Sequence, residues 1–126
     1  MKEKIAAELV SIAKSLIAEP MTFDAPRVET IRWAKRTLMV ALRVDSSWRQ
    51  IYESFMTVRD GTSNKFHYFG VFQSRSGEAV GGNAYGRIGY TPKAIEVFRG
   101  SVAGVLLEVR TKAHAKLNKG YRITEV

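Results

Sequence analysis

Cysteine is missing altogether, so this 126-residue chain has no disulfide framework, no thiolate metal ligand and no cysteine nucleophile. Histidine is scarce. His67 and His114 are the only two, too few for a histidine-built zinc centre. No apolar run reaches the roughly 18–20 residues that a bilayer span needs. The opening MKEKIAAELVSIAKSLIAEP has apolar character, but Glu3, Glu8, Lys14 and Glu19 break it up, so it lacks the uninterrupted apolar region of a secretory leader. These absences lead to the expectation of an intracellular, cytoplasmic protein with no membrane partner. Acidic side chains are also in deficit: 12 Asp and Glu face 20 Lys and Arg, for a net charge of +8.

What is present is a globular composition, 45% apolar and 25% charged, sufficient for one core in a chain of this length. The charge is unevenly distributed. Residues 1–26 carry a net −1, residues 27–50 +4, residues 51–64 −1 and residues 65–126 +6. Two basic blocks therefore flank a nearly neutral stretch, and a polyanion is the partner such a balance favours.

Ile5, Leu9, Ile12 and Leu16 recur at helical spacing, which predicts an amphipathic helix over residues 2–18, stopped by Pro20. Asp24-Ala25-Pro26 reads as a second helix start, with helix expected over residues 25–35; residues 37–44 fit helix or buried strand equally. Residues 51–58 and 65–73 alternate as strands around the turn Asp60-Gly61-Thr62-Ser63. A glycine-rich strand follows over residues 81–89, then a short strand over residues 94–98. Ser101 caps a final helix whose apolar face is Val102, Val105, Leu106, Val109, Ala113 and Leu117, ended by Lys119-Gly120. Residues 121–126 make a last short strand or tail.

The nucleophile-elbow, zinc-protease and P-loop patterns are all absent. His67 lies between Phe66 and Tyr68 on a strand and reads as a core or sheet-surface histidine; His114 lies between lysines on a solvated helix face. No catalytic residue, metal or cofactor is expected, and the protein reads as a non-enzyme. The glycines Gly77, Gly81, Gly82, Gly86 and Gly89 lack the strand-to-helix setting of a dinucleotide site. They fit a strand closely approached by another backbone. They also fit a bare ribbon on which Tyr85 and Arg87 stand clear, one to stack and the other to hold phosphate. Arg110, Lys112, Lys116 and Lys119 lie off the apolar face of the last helix, with Arg122 just beyond. That is a phosphate-neutralising row, or a solubilising one.

The segments Asn64-Lys65-Phe66, Ala84-Tyr85-Gly86-Arg87-Ile88-Gly89 and Lys116-Leu117-Asn118-Lys119-Gly120-Tyr121 together resemble a WGR domain over residues 46–126. That family is named for a Trp-Gly-Arg motif, is best known from DNA-dependent poly(ADP-ribose) polymerases and also occurs as small bacterial and phage proteins. Tyr85 stands at the Trp position, keeping a stacking ring but losing the indole donor; Gly86 and Arg87 match the rest of the motif. Thr91-Pro92-Lys93 replaces a frequent Gly-Gln turn. The resemblance implies an antiparallel sheet with a C-terminal helix packed on one face. With the one or two N-terminal helices read from the residue pattern, in an extension spanning residues 1–45, the expected fold class is α+β.

The resulting expectation is a nucleic-acid-binding protein, for DNA or RNA, with Tyr85, Arg87, Lys65, Lys112, Lys116, Lys119 and Arg122 as contact residues. The alternative is an assembly module in which the apolar face of the N-terminal helix docks on a protein partner or a second copy.

Overall fold

A computed structural model describes residues 6–11, 27–61 and 63–124. In chain order the elements are β1 (Ala6–Ser11), α1 (Arg27–Leu42), β2 (Arg49–Asp60), β3 (Ser63–Gln73), β4 (Glu78–Arg87), β5 (Ala94–Ser101), α2 (Val102–Asn118) and β6 (Arg122–Thr124). The strands form one six-stranded antiparallel sheet in the order β1-β5-β4-β3-β2-β6. The fold is α+β, as the sequence predicts.

Residues alternate between the two faces of a strand, and both faces of this sheet carry apolar cores. On one face Phe55, Phe66, Tyr68, Phe72, Val80, Ala84, Ile95 and Val97 pack with Ala34, Leu38 and Leu42 of α1. On the other, Met56, Phe69, Val71, Ala79 and Phe98 pack with Val105, Val109 and Ala113 of α2. The central β3 is apolar on both sides because a helix covers each side. α2 begins as expected: the Ser101 hydroxyl accepts the Gly104 N–H at 3.0 Å. The helix of residues 25–35 is realised from Arg27, and the ambiguous stretch after it is helical through Leu42.

The N-terminal helix expected over residues 2–18 is overturned where the chain is described. Ala6–Ser11 is a strand, paired with β5 from Ala6↔Arg99 to Ser11↔Ala94. Six residues are too few to separate a helical from an alternating pattern, and the free edge of β5 offers a full row of backbone partners. Residues 2–5 and 12–18, the Pro20 stop and the cap at residues 24–26 lie outside the described residues. Among the described residues no helix is long and apolar enough to cross a membrane.

Candidate functional site

Lys65, His67 and Phe69 of β3 share the α2 face, and the register sets Arg87 opposite Lys65, Tyr85 opposite His67 and Asn83 opposite Phe69. Helix α2 covers the Phe69 end of this row, whereas Lys65 and Arg87 at the other end are exposed. Between them the rings stack. Phe69 and His67 lie 5.8 Å apart at 18°, and His67 and Tyr85 4.9 Å apart at 19°. Tyr121, just after α2, sets its ring edge-on against His67 at 5.1 Å.

The Tyr85 end of this column opens into a groove of about 680 Å³ lined by Lys65, His67, Tyr85, Arg87, Tyr121 and, from the β4–β5 connection, Tyr90, Thr91 and Lys93. That connection is held by its backbone. The Lys93 N–H donates to the Tyr85 carbonyl at 2.7 Å, the Ile88 N–H to the Asn64 carbonyl at 2.9 Å, and the Gly89 N–H to Oγ1 of the buried Thr30 on α1 at 2.9 Å. Gly86 permits the close return, since a Cβ there would stand 3.0 Å from the Lys93 nitrogen. Gly82 is tighter still: its Cβ would lie 1.9 Å from the Glu96 carbonyl oxygen. Close backbone approach, and not a bare ribbon, is therefore what these glycines provide. Tyr85 is half-buried, with one face on His67, and Arg87 is exposed.

A second pocket of about 270 Å³ adjoins the groove through the shared residues His67 and Tyr85, and adds Phe69, Asn83, Glu96, Lys112 and Lys116. The Nζ of Lys112 lies 3.7 Å from Glu96 Oε2, and Asn83 Nδ2 donates to Glu96 Oε1 at 3.1 Å. Burial pushes His67 down to about 3, and the Lys116 ammonium works in the same direction against the nearby Asn83 amide, so the imidazole is neutral at physiological pH. Lys116 is itself lowered by burial and by Lys119, while Glu96 pulls it the other way.

The expected contact residues divide into three groups. Tyr85, Arg87 and Lys65 meet in the groove. Lys112 and Lys116 line the adjoining pocket. Arg122 joins Arg59, Thr57 and Asn64 around a third depression of about 510 Å³, while the exposed Lys119 caps α2 and lines none of the three. Tyr90, Lys93, Tyr121 and His67 escaped sequence reasoning as site residues. Alternation along β3 and β4 puts Lys65, His67, Tyr85 and Arg87 on one face and could have found His67, whereas Tyr90 and Lys93 reach the groove only through the folded connection. No group of three or more His, Asp or Glu that could hold a metal ion occurs among the described residues.

The chain gave no match to protein-family models, to curated proteins or to solved structures.

Proposed function

We propose that this protein binds nucleic acid without catalysis, through the groove between the Tyr85 end of the ring column and the β4–β5 connection. One observation carries the reading. Three tyrosines and three cations line a single groove with no carboxylate among its described lining residues, so ring faces for bases and charges for phosphates come together. Tyr90 is 49% exposed, as stacking on an unpaired base requires, and the half-buried Tyr85 lines the groove beside it. Arg87 supplies a planar fork for a phosphate.

The likeness of Tyr85-Gly86-Arg87 and its flanking segments to a WGR domain supports the same reading, as does the net charge of +8. Phosphates and bases are common to DNA and RNA, and the reading covers both. It places the protein in the cytoplasm, with the nucleoid or, for a viral protein, the host's nucleic acid. The assembly reading is weaker, because the helix it needs is a strand over Ala6–Ser11.

Arg87→Ala should weaken binding of a mixed-sequence oligonucleotide about ten-fold at 100 mM salt, and Arg43→Ala, on the far end of α1, by less than about two-fold. Fluorescence anisotropy on both variants, with circular dichroism to check the fold, measures this. Equal losses would mean that only bulk charge matters, and the groove would lose its role.

A further inference from the structure

The smaller pocket beside the groove is built differently from the groove itself. Its volume, about 270 Å³, equals roughly nine liquid waters and suits one heterocycle, not a base pair. Its walls combine the rings of Phe69 and Tyr85 with the polar ends of Asn83, Glu96, Lys112 and Lys116.

Two polar atoms of its lining residues are left over. His67 Nδ1 and Asn83 Oδ1 make no hydrogen bond of normal geometry, although the residues are only 6% and 4% exposed. The Asn83 amide lies near enough to favour a proton on His67, but the buried ring stays neutral. Native proteins keep few such atoms, because each gives up its water without compensation. The Asn83 amide cannot turn to relieve this. Glu96 only accepts, so Nδ2 faces it and Oδ1 is held on the other side, with Lys112 holding Glu96 in turn.

We infer that this pocket receives one unpaired nucleobase from a strand held in the groove, an inference that rests on nucleic-acid binding by that groove. A base edge supplies the N–H that Asn83 Oδ1 lacks and a partner for the neutral His67, while the adjoining phosphate meets Lys112 and Lys116. A strand read in this way is single-stranded at the site, and its affinity depends on which base occupies the pocket.

The test titrates the protein with the single-stranded octamers dA8, dC8 and dT8 at one salt concentration, alongside Asn83→Leu and His67→Phe. The wild type should spread the three affinities by about five-fold or more, the scale of one net hydrogen bond. Both variants should collapse that spread. His67→Phe should also melt at or above the wild-type temperature, since it removes an orphaned polar atom, whereas Asn83→Leu also gives up the hydrogen bond to Glu96 and is read by the spread alone. Equal wild-type affinities, a spread that survives both variants, or a His67→Phe variant that melts several degrees lower would each overturn the inference. Uniform binding would leave the groove intact and remove only the pocket's role, whereas failure to bind any octamer would remove both.

Discussion

Burial strips away the water a protonated His67 would need, and the Lys116 ammonium opposes a second positive charge beside it, which is why its proton affinity falls so far. The unfolded chain takes up that proton near 6.5 and the folded chain only near 3. Acid therefore favours unfolding: the stability tied to this group is complete above about pH 6.5 and is lost as pH falls toward 3. Urea denaturation at pH 7 and pH 4.5 should show the wild type losing about 2 kcal/mol more than His67→Phe over that interval. Identical pH dependence in the two proteins would rule out a buried neutral imidazole. The burial of His67 was legible in its apolar neighbours Phe66 and Tyr68. Its missing partner was not, because that depends on Asn83 and Glu96, which stand 16 and 29 positions further along the chain, on β4 and β5.

Helix α1 ends without the residue that usually announces an end. Arg43 takes φ 59°, its N–H donates to the Val40 carbonyl at 3.1 Å, and the Val44 N–H reaches back to Met39 at 3.0 Å. This is the left-handed cap that glycine normally makes, and an arginine in its place left residues 37–44 open to helix or strand. Arg43→Gly should relieve the left-handed strain and raise stability by about 0.5–1 kcal/mol, a gain of roughly 2–4 °C in Tm by calorimetry. A lower Tm would mean that the arginine side chain contributes more than its backbone conformation costs. Elements with local signals were legible: the β2–β3 hairpin from its turn residues, and α2 from its cap and the Val105/Val109/Ala113 stripe. Strand β1 was not, because its conformation is set by the edge of β5, some 90 residues later.

Across the whole molecule, the sheet separates two unlike surroundings. The charge balance along the chain favoured a polyanion as partner or simple solubility, and the WGR resemblance implied the α+β fold that the structure has. Which end of the α2 face would stay uncovered was a matter of register, and the one-to-one pairing of Lys65 with Arg87 and His67 with Tyr85 gathers these four side chains toward that end. The position of the β4–β5 connection along the groove follows in part from Thr30 on α1 holding Gly89, a contact between segments that no local pattern links.

Both indoles belong to the α1 half: Trp33 is carried by that helix, and Trp48 packs against its core, while every tyrosine of the groove belongs to the other half or to the β4–β5 connection. Tryptophan emission thus reports on the α1 half alone. Adding an oligonucleotide should leave it flat, and quenched indole fluorescence would locate the ligand on the opposite side of the sheet.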